Sequence, residues 1–162
     1  MSWREMYKSK LVSVEEAART VKSNDRIWYS PCGGVPVDVI NEICKRKDEL
    51  FDVCMFSGLV FHPFEYFKPE YIGHISHTTL FMGPVERKFL PFGNVDVLSY
   101  QFGQTDWTIP NVVKPDIFIF DAAPPDENGN FSYGVMGTVA GDVAARSAKK
   151  KIVQVNNNQP FV

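Results

Sequence analysis

Short apolar runs of strand length recur along this chain, and segments of helical character separate them. Arg26 to Ser30, Phe51 to Val60, Ile75 to Phe81, Val95 to Tyr100, Asp116 to Phe120 and Lys151 to Val155 read as strands. They are rich in the β-branched and aromatic residues that suit a buried pleated surface. Ser13-Val14-Glu15-Glu16 carries a capping-box signature and predicts a helix to about Lys22. A second helix starts near Pro36, where a missing N–H costs nothing, with Val37, Ile40, Ile43 and Cys44 as its apolar stripe. Pro84 to Leu90 and Thr138 to Lys149 read as two more helices, while Phe61 to Tyr71 and Gln101 to Val113 show no clear period. Strands alternating with helices at this spacing predict βαβ units. The expected fold class is α/β, an open, mainly parallel sheet with flanking helices.

Bulk properties narrow the function classes. A net charge of −2 leaves no electrostatic footprint for nucleic acid. No stretch of 18 apolar residues exists, so no membrane partner is expected. The start, Met1 to Glu5, lacks an apolar signal core. Cys32, Cys44 and Cys54 are odd in number and form no CxxC pair, which suits free thiols in a reducing, cytoplasmic setting. Lys149-Lys150-Lys151 reads as a solvated helix end.

Two turns stand out. In an α/β sheet, ligands are met where the chain leaves the carboxyl ends of strands. The stretch after the Asp116 to Phe120 run is unusually elaborate for such a turn. Pro124 and Pro125 stiffen it, Asn128-Gly129 tolerates positive φ, and Ser132 and Gly134 allow a close approach. The other turn, Cys32-Gly33-Gly34-Val35-Pro36, lies between a strand and a helix N-terminus, where exposed backbone N–H groups can hold an anion or a thioester oxygen. The glycine loop reads equally as a tight strand-to-helix turn that needs glycine; the candidate substrate-binding residues of the two turns are Gly33, Gly34, Pro36, Pro124, Pro125, Asp126, Gly129, Ser132 and Gly134. Asp121 and Asp126 are expected to accept hydrogen bonds from backbone N–H groups of their turn, and no catalytic residue is assigned. His74 and His77 share a strand at an offset of three, which puts them on opposite faces and argues against a metal site. The run Phe61, Phe64, Tyr66, Phe67 and Tyr71 fits a core or subunit contact better than a pantetheine wall.

The second turn carries a resemblance as well. Pro124-Pro125-Asp126, Gly129 and Ser132-Tyr133-Gly134 look like the first domain of the acetyl-CoA hydrolase/transferase family, which includes the 4-hydroxybutyrate and butyrate CoA-transferases. Trp3 to Lys8, Val14 to Ala17, Asp25-Arg26, Cys32 to Pro36, Gly83 to Lys88, Gly93 to Asp96 and Lys151 to Gln159 fall in the family's order. The resemblance thus covers nearly the whole chain.

It implies the open α/β fold that CoA-transferases share with sugar-phosphate isomerases, and an N-terminal domain spanning residues 1–162. It also implies that the glutamate-bearing C-terminal domain lies outside this chain, which would be roughly the first two-fifths of such an enzyme. The implied reaction is CoA transfer between an acyl-CoA and a short carboxylic acid through a glutamyl-CoA intermediate, with a CoA thioester as substrate and no cofactor. A thioester hydrolase of the same family and a non-catalytic ligand- or partner-binding domain are the alternatives. Homo-oligomer formation, or contact with the missing half, is the expected association.

Overall fold

The computed structural model describes residues 2–134 and 139–162. Six strands form one sheet: β1 (Arg26–Tyr29), β2 (Val53–Ser57), β3 (Ile75–Thr79), β4 (Val95–Val97), β5 (Ile117–Ala122) and β6 (Lys150–Val155). Their order is β4-β3-β2-β1-β5-β6, and every neighbouring pair is parallel. A parallel sheet needs both faces covered, which is why β5 is apolar at nearly every position and buried along its whole length. The expected α/β architecture is therefore present.

The helices are α1 (Trp3–Lys10), α2 (Val14–Arg19), α3 (Val37–Cys44), α4 (Pro84–Phe89), α5 (Thr105–Thr108) and α6 (Gly141–Ser147). On one face of the sheet, Ile27, Tyr29, Met55, Ile117 and Ile119 pack beneath α2 and α3. On the other, Trp28, Phe56, Phe118 and Phe120 pack against α6 and the Ile109–Val113 turn. Residues alternate between the two clusters along each strand, as the pleat requires. Phe64, Tyr66 and Phe67 are buried at the 3-10 turn Glu65–Phe67, whereas Phe61 is exposed and Tyr71, in the turn Pro69–Tyr71, is half-buried, so only the middle of the aromatic run is core.

Some boundaries differ from the sequence reading. Helix α1 was not anticipated, although Ser2 and Glu5 complete the same reciprocal cap that marks α2 at Ser13 and Glu16. The fourth strand is shorter than expected because the chain leaves the sheet after Val97, and Leu98 and Tyr100 pack onto the Trp28 face. Helix α6 ends at Ser147, so Lys149 to Lys151 is not a helix end. Lys150 and Lys151 already belong to β6, where the Lys150 N–H donates to the Asp116 carbonyl at 3.0 Å. Thr138, the expected start of that helix, lies outside the described residues. Among the described residues, no helix is long and apolar enough to cross a membrane.

Candidate functional site

The strand order defines a switch point. From β1 the chain proceeds outward through β2, β3 and β4, then returns to place β5 on the other side of β1. At such a point, loops leaving adjacent carboxyl ends diverge and leave a crevice. The two loops there are the ones singled out by sequence: Pro31 to Pro36 after β1, and Ala123 to Gly134 after β5.

In the first loop, Cys32–Gly34 form a 3-10 turn, closed by the Gly34 N–H donating to the Pro31 carbonyl at 3.1 Å. Gly33 is exposed, whereas Gly34 and Pro36 are buried. A Cβ on Gly34 would lie 3.3 Å from the Ser30 Cβ, which explains a glycine there. The N-terminus of α3 is already occupied. Pro36 offers no side-chain cap, and Gln154 Oε1 accepts instead from the N–H groups of Asp38 at 3.0 Å and Val39 at 3.1 Å. Any oxyanion must therefore be met by the turn rather than by the helix end. Cys32 sits at φ 55°, in the left-handed region that disfavours side chains. Burial first, and then the charge of Glu86, raise its thiol above the ordinary cysteine value. A thiolate nucleophile needs the opposite shift.

The second loop is self-organised. Asp126 accepts from the backbone N–H groups of Asn128 at 2.9 Å and Asn130 at 2.8 Å, and from Asn130 Nδ2 at 3.1 Å. These bonds, the Asn130 backbone foremost, hold its carboxyl below the usual range, as expected for an Asx-type turn. Pro124 is exposed and Pro125 half-buried. Gly129 faces away from the first loop: at φ 87°, a Cβ there would meet the Trp3 ring at 3.0 Å. Its role is thus to seat α1. Ser132 is buried, donating to the Val162 carbonyl at 3.0 Å and accepting from the N–H groups of Gly134 and Val162 at 3.1 Å each.

Asp121 departs from expectation. Its carboxylate takes side-chain amides, not backbone N–H groups of the turn. Gln154 Nε2 donates to Oδ1 at 3.0 Å, and Asn156 Nδ2 and Gln159 Nε2 donate to Oδ2 at 2.9 Å each. The donors come from β6 and the turn after it, so nothing within residues 121–134 announces them. Gln159 Nε2 also donates to the Gly33 carbonyl at 3.0 Å. A Cβ on Gly134, at φ 65°, would fall 2.4 Å from Gln159 Oε1. Gln159 is therefore lodged between the two turns.

Beside the first turn opens an apolar pocket of about 260 Å³, over the carboxyl ends of β1 to β3. Trp28, Cys32, Leu59, Leu80, Phe81 and Tyr100 are among its lining residues. Glu86 shapes it from below. That carboxylate is fully buried and accepts from the N–H groups of Val60 at 3.0 Å and Gly83 at 2.8 Å and from Thr79 Oγ1 at 3.2 Å. It joins the loops after β2 and β3 that supply the pocket wall. Glu86→Ala would strand two buried N–H groups, each costing about 1–3 kcal/mol. A loss of about 2–6 kcal/mol in urea unfolding is expected, with Glu86→Gln costing less because one acceptor oxygen remains. An unchanged urea midpoint for Glu86→Ala would count against this role.

The two histidines do not converge. His74 Nδ1 contacts the Leu50 carbonyl at 2.9 Å, while His77 is buried with Nδ1 on Tyr66 Oη at 3.0 Å. Among the described residues, no cluster of three or more His, Cys, Asp or Glu could hold a metal ion.

Parallel strands with two loops meeting at a switch point beside an apolar pocket define an open α/β domain with a crevice at its topological switch point. Residues 1–162 match the acetyl-CoA hydrolase/transferase N-terminal domain, and the chain belongs to that family. It is 30% identical to the 4-hydroxybutyrate coenzyme A transferase of Clostridium kluyveri, covering 99% of this chain and 37% of that protein. It is also 30% identical to a butyryl-CoA:acetate CoA-transferase of Anaerostipes caccae, spanning 36% of its length. Among solved structures, RipA from Yersinia pestis superposes with a TM-score of 0.90 at 24% identity, over 100% of this chain and 40% of that one. A 4-hydroxybutyrate CoA-transferase from Porphyromonas gingivalis gives 0.78 at 20% identity, over 99% and 37%. The chain thus spans well under half the length of these relatives.

Proposed function

We propose that this chain forms the acyl-binding wall of an acyl-CoA:carboxylate CoA-transferase, and that the attacking glutamate comes from a second domain. The observation that carries this reading is the apolar pocket beside the Cys32–Gly34 turn, at the switch point of a domain of this family. The pocket would take the alkyl part of a short acyl group. Backbone N–H groups of the turn would face the thioester oxygen and stabilise the tetrahedral oxyanion. A glutamyl-CoA intermediate would split the transfer into easier steps. Of the expected substrate-binding residues, Gly33, Pro124 and Asp126 would border the groove, Gly34, Pro36, Ser132 and Gly134 would shape it from within, and Pro125 and Gly129 would face α1 instead. Three free thiols at Cys32, Cys44 and Cys54 support a cytoplasmic location. Exposed Phe61, Phe81, Phe102 and Trp107 support contact with a further domain or a second copy.

Trp28 lines the pocket and reports on its filling. Titrating the chain with butyryl-CoA should change the Trp28 emission, and free CoA should not. Trp28→Phe should remove the response. Equal responses to butyryl-CoA and free CoA, or none to either, would overturn the acyl-wall reading.

A further inference from the structure

We propose that Asp121 is a positioning residue for the substrate-facing turns, acting through Gln159. This rests on the reading above for its functional meaning, but the geometry stands without it. Asp121 is 2% exposed and lies at the carboxyl end of β5, on the switch point. Among the described residues no lysine, arginine or histidine pairs with it. A buried carboxylate in that position is tolerated only if its oxygens are fully engaged by donors. Three neutral amides do this, and each is thereby fixed in orientation.

The orientation of Gln159 is what matters for the turn. Its Nε2 has two hydrogens; one goes to Asp121 Oδ2 and the other to the Gly33 carbonyl. The carboxylate cannot donate, so it forces the nitrogen of the Gln159 amide toward both acceptors. Asp121→Ala would remove that constraint, leaving the Gln159 amide held only at the Gly33 carbonyl and free to turn away from it. Gln154 is oriented by the same carboxylate, so that its oxygen caps the N–H groups of Asp38 and Val39. One carboxylate thereby sets both ends of the Cys32 to Val39 segment. The Gly134 approach to Gln159 extends the brace to the second turn.

The test is amide exchange and amide nitrogen shifts by NMR on the 162-residue chain. The Gly34 nitrogen is conjugated with the Gly33 carbonyl and senses the hydrogen bond made there. Asp121→Ala and Gln159→Ala should each shift the Gly34 resonance and speed its exchange about tenfold, the loss of one net hydrogen bond. The double variant should add little beyond either single change, because both break one link. Asp126→Asn, which alters a carboxylate satisfied within its own turn, should leave Gly34 in place. The proposal is overturned if Asp121→Ala leaves Gly34 unmoved, if the two changes add fully, or if amides of β2 and β3 accelerate equally. Should Asp121→Ala fail to fold, Gln159→Ala carries the test, since Gln159 is half-buried in a turn and Asp121 keeps two donors. Gln159→Ala must then shift Gly34 while β2 and β3 stay protected, or the proposal fails. Because exchange needs no substrate, its failure would leave the transferase reading standing, and that reading fails separately on the butyryl-CoA titration.

Discussion

Incubated with acetyl-CoA and butyrate, the 162-residue chain alone is expected to form no butyryl-CoA above the uncatalysed rate. No residue of this sequence matches the glutamate nucleophile of the proposed mechanism, and the chain spans 37% of the length of its Clostridium kluyveri relative. Removing a covalent nucleophile typically lowers rates by about four orders of magnitude or more, even where binding survives. Asp126 and Asp121 are already engaged, the first by its turn and the second by three amides. Neither is free to attack a thioester. Co-expression with a glutamate-bearing second domain should restore transfer. In that complex, CoA release without butyrate would identify a hydrolase, and release only with butyrate a transferase. Sustained butyryl-CoA formation by the isolated chain, lost on changing Asp126 or Glu127, would place the chemistry in this domain instead.

Acid should destabilise the fold through His77. The side chain is fully buried, and desolvation lowers its pKa from 6.5 to about 3. The folded state therefore holds it neutral, while the unfolded chain takes up a proton below about pH 6.5. The unfolded state binds more protons between these values, so stability falls as pH drops from 6.5 toward 3, by at most about 1.4 kcal/mol per unit. Summed over that window the loss approaches about 5 kcal/mol, comparable to the stability of a small domain. Charging His77 would also disturb Tyr66, whose hydroxyl joins the Tyr29 hydroxyl at 2.8 Å. Urea unfolding from pH 7 to pH 4 should show this slope, and His77→Gln should flatten it. Carboxylates titrate in both proteins, so the difference between them isolates the histidine. Parallel pH profiles would refute the assignment.

The path from sequence to site was uneven, and particular residues show why. Strand β5 was legible because a strand buried on both faces must be apolar nearly throughout, and Ile117 to Phe120 is. Helix α2 was legible because Ser13 and Glu16 cap it locally. Helix α1 carried the same signature at Ser2 and Glu5 and could have been read. The aromatic run reads as core or subunit contact; Phe64, Tyr66 and Phe67 are in the core, while Phe61 is exposed. Asp126 was read well because its partners lie two and four residues away. Asp121 was misread because its partners lie 33, 35 and 38 residues away, on β6 and the turn after it, which it meets only in the folded sheet.

The same physical distinction separates what this sequence determines alone from what tertiary structure decides. Periodicity, caps and turn chemistry act over a few residues, and they set the alternation of strands and helices and the two loops where a ligand would be met. The family resemblance follows from the same ordered motifs. Strand order was not readable, and it is strand order that puts β1 beside β5 and so brings the two loops to one crevice. The pocket wall at Leu59 and Leu80, the buried Glu86 that joins its loops, and the Asp121–Gln159 brace all link segments distant in sequence. Such groups are chosen by the desolvation of whatever the fold buries, and only the assembled sheet defines what that is.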